Sequence, residues 1–231
     1  MYRALLADTL PELRGRIAAA AARAGRDPGE VRVVAVTKGH PLAAVDAAVA
    51  AGLDRLGENR IGELEEKAGL VEAGTVEWHM IGRLQRRVAP RVRGLASLVH
   101  SLDSLGLAAR LERTAPPGAP PLPVLVQVNV SGEATKSGFA PGELPAALEV
   151  LLDLGSLEVR GLMTMAPFTR DERTLRATFR SLRRLAEEAA LRFPGYRGKE
   201  LSMGMSNDYE CAVEEGSTIL RVGSAIFGRR P

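Results

Sequence analysis

The stretch VRVVAVTKGHPLAAVDAAVAAG, residues 31–52, holds a complete strand, turn and helix, and its reading decides the fold. Residues 32–37, RVVAVT, are apolar and β-branched, a composition that suits a pleated, buried surface. Gly39 and Pro41 break that run, and from Pro41 onward leucine, alanine and valine recur at helical spacing. The same order then repeats along the chain, through DRLGEN (54–59), VEWHMIG (76–82), SLVHSLD (97–103), PVLVQVNV (123–130), EVRGLMTM (158–165), ELSMG (200–204) and STILRVG (217–223). Amphipathic stretches such as LGLAARLERT, PGELPAALEVLLDLG and RTLRATFRSLRRLAEEAALRF lie between them, and a further helical pattern precedes the first run. Strands in βα order, spread evenly over 231 residues with no linker, predict one α/β domain spanning 1–231. Its architecture is a closed (β/α)8 TIM barrel with an extra N-terminal helix, at the small end of the size range. A doubly wound open sheet is the alternative. The Pro-rich TAPPGAPPLP at 114–123 reads as a surface loop leading into strand five.

Composition excludes several functions. The chain is 45% hydrophobic and 26% charged, as in ordinary soluble proteins. No apolar run reaches the roughly 20 residues of a membrane span, and residues 1–25 lack a secretory pattern. Cys211 is the only cysteine, so no internal disulfide forms, and no Cys/His cluster has metal-ligand spacing. The expectation is a cytoplasmic protein with no membrane partner and no metal.

The net charge of +3 and the run GRLQRRVAPRVRG (82–94), with Arg83, Arg86, Arg87, Arg91 and Arg93, raise the question of nucleic acid. Aromatic residues make up only 4%, which leaves few stacking platforms for single strands, and no helix-turn-helix, zinc or RNA-recognition signature is present. The patch is read as a solvated face or an anion-attracting rim. Along 173–193, Leu175, Phe179, Leu182 and Leu185 mark an apolar stripe, and Arg173, Arg176, Arg180, Arg183 and Arg184 are assigned to a solvated face.

Only four of the 31 basic residues are lysines: Lys38, Lys67, Lys136 and Lys199. Lys38 ends the first strand, an unusual place for a merely solubilising charge. Arginine stays protonated at any working pH, whereas a partly buried lysine can lose its proton and act as an amine nucleophile. The competing reading is a stem packed at the strand end with its ammonium in water. In a barrel the C-terminal strand ends carry the function. Glu58, Asn59, Gly82, Ser101, Asp103, Asn129 and Thr164 fall there beside Lys38, followed by Ser202 and Ser206 of SMGMSND and Arg221, Gly223 and Ser224 of RVGSAIFG. The last two loops place small residues and exposed N–H groups before predicted helices, as a phosphate site requires. Taken singly, each is also what any tight βα connection needs. Phosphate holders facing a lysine suit a phosphorylated aldehyde held at both ends, and pyridoxal phosphate is the obvious ligand of that kind.

At these motifs the chain resembles the pyridoxal phosphate homeostasis proteins of the YggS/PROSC type, single-barrel relatives of alanine racemase. The resemblance runs through VAVTKGHP, LGENRIGE, WHMIGRLQ, VHSLDS, QVNVSGEATKSGF, GLMTMAP and LSMGMSNDYECAVEEGSTILRVGSAIFG. It implies a cofactor-binding barrel in which Lys38 forms the internal aldimine, Ser202, Ser206, Gly223 and Ser224 surround the phosphate, Arg221 faces the pyridine nitrogen, and Asn59 lies beside the cofactor. It further implies storage, buffering or transfer of pyridoxal 5'-phosphate, with apo-enzymes that need the cofactor as partners. Read without it, Asn59 and Ser206 serve equally as helix N-caps and Arg221 as a salt-bridge residue. His79 reads as a packed histidine of strand three, Trp78 as packing under helices, and Lys136 as either a rim cation or a solvated loop lysine. In one respect the chain departs from its relatives: where they commonly carry Asn and Lys after WHxIGxLQ, it has Arg86, Arg87, Val88 and Ala89.

Arg221 also bears on catalysis. A guanidinium donates and cannot accept, so a pyridine nitrogen facing it stays unprotonated and the ring is a poorer electron sink. Tyr2, Tyr196 and Tyr209 are the only tyrosines, and none ends a predicted strand. A monomeric binding protein without strong catalytic activity is expected, with a weak amino-acid racemase as the alternative.

Overall fold

The computed structural model describes residues 1–230. Helix α1 (Tyr2–Arg23) precedes an alternating series: β1 (Arg32–Val36), α2 (Leu42–Ala50), β2 (Arg55–Glu58), α3 (Ile61–Ala68), β3 (Glu77–Met80), β4 (Leu98–Leu102), α4 (Leu105–Arg113), β5 (Leu122–Gln127), α5 (Leu144–Leu152), β6 (Leu157–Met163), α6 (Glu172–Arg192), β7 (Glu200–Ser202), α7 (Tyr209–Glu214), β8 (Ile219–Val222) and α8 (Ser224–Phe227). Each strand runs parallel to its sequence neighbour, and β8 closes onto β1 with Arg32 to Ala35 in register with Ile219 to Val222. The closed barrel with its extra N-terminal helix is therefore the fold, and the open sheet is not. One βα unit is irregular: β3 and β4 are joined by a 3-10 turn at Ala89–Val92 in place of an α-helix. Pro90, which has no N–H to give a helix, sits in that turn.

Strand alternation sorts side chains into two layers. Leu56, Trp78, Val99 and Val124 face outward into the main core, where they meet Leu64, Leu111, Phe179 and Leu182 of the helices. Inside the barrel Val34, Leu98, Leu125, Met163 and Ile219 form a smaller apolar layer. Trp78 and His79 thus point to opposite faces of β3, as expected of neighbours in a strand. At the N-terminal strand ends, ion pairs from Arg32 to Glu200 and from Arg55 to Glu77 (3.0 Å) lie across the barrel's base.

Helix α1 is tied to the opposite end. The Tyr2 hydroxyl lies 3.1 Å from His40 Nδ1, and both rings pack against Phe227 of α8. Farther along, Arg16 and Arg23 pair with Glu210 and Glu214 of α7. The arginines of α6 lie on the solvent side as their periodicity predicts, but two are also paired: half-buried Arg176 reaches Glu214, and exposed Arg180 reaches Glu215 at 2.8 Å. The cause is lateral, because α7 presents its acidic edge to that face, and an amphipathic pattern does not reveal a neighbouring helix.

Candidate functional site

A cavity of about 1050 Å³ opens at the C-terminal ends of the strands, bounded among others by Lys38, His40, Asn59, Ser206, Arg221, Gly223 and Ser224. Six of the seven residues expected at the site line it. Ser202 is the exception. It is fully buried beneath the cavity, because as the last residue of β7 it points into the barrel and is covered by Arg221.

The Lys38 wall is built by the turn that leaves β1. The His40 N–H donates to the Thr37 carbonyl at 3.0 Å, and Gly39 adopts φ +71°, a left-handed geometry that suits glycine. Helix α3 holds both sides of Lys38. Lys67 Nζ donates to Thr37 O (2.8 Å), Glu58 Oε1 (2.7 Å) and Glu63 Oε1 (2.8 Å), and Glu63 Oε1 also accepts from the Gly39 N–H at 2.6 Å. Thr37 Oγ1 adds a 2.6 Å bond to Glu58. Burial raises the Glu58 pKa above the usual carboxylate range despite its bonds to Lys67 and Thr37. Burial also presses on Glu63, but the bonds from Lys67 and Gly39 prevail and lower its pKa.

Lys38 itself is half-buried, and its Nζ has no hydrogen-bond partner among the described residues. Burial, then Arg230, then Arg221 lower its pKa from the ordinary lysine value. An amine in that setting sheds its proton more readily than a surface lysine.

The facing wall comes from the loops after β7 and β8. Ser206 Oγ accepts from the backbone N–H of Gly223 (3.3 Å) and of Ala225 (3.2 Å), so two donors converge on one oxygen position. The loop is folded tightly enough to need Gly204, at φ +96°, where an added Cβ would fall 2.6 Å from that of Ala212. A Cβ on Gly223 would meet the Val36 carbonyl at 3.2 Å. Neither Ser206 nor Asn59 caps a helix, since Asp208 and Arg60 hold those positions. Asn59 instead lies against Gly82, where an added Cβ would come 2.1 Å from its carbonyl.

Arg221 forms the floor. Its Nη1 donates to Ser202 Oγ at 2.5 Å and its Nη2 to the Thr164 carbonyl at 2.9 Å. Burial lowers its pKa to about 10, with Asp208 opposing, so the guanidinium keeps its charge at neutral pH. Below it, His100 Nδ1 lies 2.8 Å from Ser202 Oγ, and His100 Nε2 lies 2.8 Å from His79 Nδ1. Burial holds both imidazoles neutral, lowering His79 to about 3 and His100 well below its ordinary value.

Lys136 is a fastening at the rim: its Nζ bonds Glu133 and, at 3.2 Å, the carbonyl of Met165, a cavity residue. The arginine run is largely spoken for. Arg83 pairs with Asp103, Arg91 with Glu65, and Arg93 donates to the carbonyls of Leu111 and Ser156. Sequence reasoning missed Lys67, Glu63 and Arg230. The scarcity of lysine that singled out Lys38 applies equally to Lys67 and is the signal that would have found it. Among the described residues no cluster of His, Cys, Asp or Glu suits a metal, and no helix is long and apolar enough to cross a membrane.

Comparison with known proteins places this geometry in context. Residues 9–231 match the family described as alanine racemase, N-terminal domain. The pyridoxal phosphate homeostasis protein of Pseudomonas aeruginosa is 42% identical over 225 residues, covering 97% of this chain and 96% of that one. A crystal structure of an unknown protein from Bifidobacterium adolescentis superposes with a TM-score of 0.90 at 36% identity, over 98% of this chain and 96% of that one. PipY of Synechococcus elongatus, with pyridoxal phosphate bound, superposes with a TM-score of 0.84 at 36% identity, over 96% of this chain and all of that one.

Proposed function

Because the chain belongs to the pyridoxal phosphate homeostasis protein family, built on the alanine racemase N-terminal domain, we propose that it binds pyridoxal 5'-phosphate in the Lys38 cavity and stores, buffers and hands on that cofactor to apo-enzymes. One observation carries the reading: a half-buried amine without a partner stands in the same cavity as Ser206, Gly223 and Ser224, where the Gly223 and Ala225 N–H groups converge on the Ser206 hydroxyl. That donor set fits the ligand at both ends. Pyridoxal phosphate, when bound, supplies an aldehyde carbon that condenses with a primary amine, and a dianionic phosphate.

Lys38 is the amine, and its lowered pKa keeps more of it unprotonated near neutrality. Gly223, Ser224 and Ser206, which line the cavity, would hold the phosphate through backbone N–H groups and hydroxyls, and Asn59 would border the ring. Arg221 presents a cation that only donates, so it keeps the pyridine nitrogen unprotonated and limits the ring as an electron sink. Ser202 serves this site through Arg221 and not as a phosphate contact. None of the three tyrosines lines the cavity: Tyr2 bonds to His40 at its edge, Tyr209 lies beneath Arg16, and Tyr196 is in the core.

A weak amino-acid racemase is the second reading, and His40 favours it. Its imidazole borders the cavity, burial, then Lys67 and Arg230, lower its pKa and favour the neutral ring, and when Nδ1–H donates to the Tyr2 hydroxyl the other nitrogen is left bare to accept a proton. Loading the protein with pyridoxal phosphate and incubating it with L-alanine in heavy water separates the two. Storage and transfer require reactivation of an added apo-enzyme with no deuterium at the α-carbon above the protein-free rate. Exchange at enzymic rates favours the racemase.

A further inference from the structure

Three buried side chains under the cavity floor have no part in holding a ligand directly. His79, His100 and Ser202 form a single file inside the barrel that ends on Arg221, with links of 2.8, 2.8 and 2.5 Å. The direction of each bond follows from the chemistry of its members. A guanidinium has no acceptor, so Ser202 Oγ must accept from Arg221 Nη1. Ser202 Oγ has no other side-chain partner among the described residues, so the serine proton finds an acceptor only when directed at a bare His100 Nδ1. A neutral imidazole with a bare Nδ1 carries its proton on Nε2, and that proton points to His79 Nδ1. His79 in turn carries its own proton on Nε2. The three links of the file are then all made in one orientation, which matters for polar groups shut in a barrel core.

We propose that His100 is a positioning residue for Arg221, acting through the Ser202 hydroxyl, with His79 fixing the His100 tautomer. The file holds Nη1 from below while the Thr164 carbonyl holds Nη2, leaving the remaining guanidinium edge for the cavity. Arg221 makes no hydrogen bond to a carboxylate among the described residues, so these two bonds are what sets its plane. The inference deepens the pyridoxal phosphate reading and rests on it, since Arg221 would face the pyridine nitrogen of that ligand.

Two measurements test it. In the ligand-free protein, nitrogen-15 NMR of the histidine rings is expected to show His100 and His79 neutral at pH 7, each protonated on Nε2. A proton on His100 Nδ1, or an imidazolium at either position, overturns the file. With ligand, absorbance titrations of pyridoxal phosphate compare the native protein with His100→Leu, His100→Asn and Ser202→Ala. Losing one hydrogen bond to a charged group is expected to weaken binding about tenfold in His100→Leu and to shift the absorption maximum of the bound ring. His100→Asn, whose amide oxygen can stand near the Nδ1 position, should restore the native spectrum. Ser202→Ala, the smaller change, serves if His100→Leu does not fold, and it should reproduce the leucine spectrum. Native affinity and spectrum in Ser202→Ala and in folded His100→Leu overturn the proposal and leave the binding reading intact. A native protein that binds no pyridoxal phosphate overturns the binding reading, while the NMR result still judges the file.

Discussion

Lys67 Nζ donates to the main-chain oxygen of Thr37 at 2.8 Å, so a lysine on α3 fixes the peptide unit that immediately precedes Lys38. With Glu63 holding the Gly39 N–H on the other side, Lys38 stands on a short segment clamped at both ends. Few of its orientations survive, which is what a condensation at one carbon requires.

Replacing Lys67 with methionine removes the clamp and leaves the Glu58 carboxyl buried without its cation. Breaking a buried pair in this way costs about 3–5 kcal/mol. Urea denaturation should show a loss of that order, and pyridoxal phosphate should attach to Lys38 more slowly in the fraction that remains folded.

The pH dependence of attachment follows from Lys38. Only the unprotonated amine attacks a carbonyl, and burial, Arg230 and Arg221 all lower its pKa. Attachment rates should therefore rise with pH and level off below the value of about 10.4 for a free lysine. Arg230→Ala removes one of the cations that disfavour the ammonium, so its midpoint should move to higher pH. A stopped-flow pH series on both proteins checks the direction.

Ser206 offers a test of the phosphate wall. Its hydroxyl and the N–H groups it engages have no use for a ligand lacking a phosphate. Ser206→Ala should weaken pyridoxal phosphate binding about tenfold, or about 1.4 kcal/mol, and leave pyridoxal binding nearly unchanged. Parallel titrations with the two compounds measure the difference.

Gly204 tests the shape of the same loop. An alanine there carries a side chain at φ +96° and drives its Cβ into Ala212. The strain is expected to cost about 1–3 kcal/mol. Thermal unfolding should show a lower Tm together with weaker pyridoxal phosphate binding.

The barrel was legible because its signals are local. RVVAVT, PVLVQVNV and EVRGLMTM announce strands by composition, and Leu175, Phe179, Leu182 and Leu185 announce a helix by spacing. Lys38, Asn59, Ser206, Arg221, Gly223 and Ser224 were legible because barrel topology gathers strand ends on one rim. What escaped depended on contacts between distant elements. Lys67 approaches Thr37 from α3, and Glu214 approaches Arg176 from α7, across 30 and 38 residues of chain. Ser202 is expected at the rim because it ends β7, and the alternation of β7 turns it inward beneath Arg221.

The most direct test of the central claim is borohydride reduction of the protein loaded with pyridoxal phosphate, followed by peptide mapping by mass spectrometry. A pyridoxyl adduct is expected on the peptide containing Lys38 and none on those containing Lys67, Lys136 or Lys199. An adduct on a different lysine, or none at all in a folded protein saturated with the ligand, contradicts that claim.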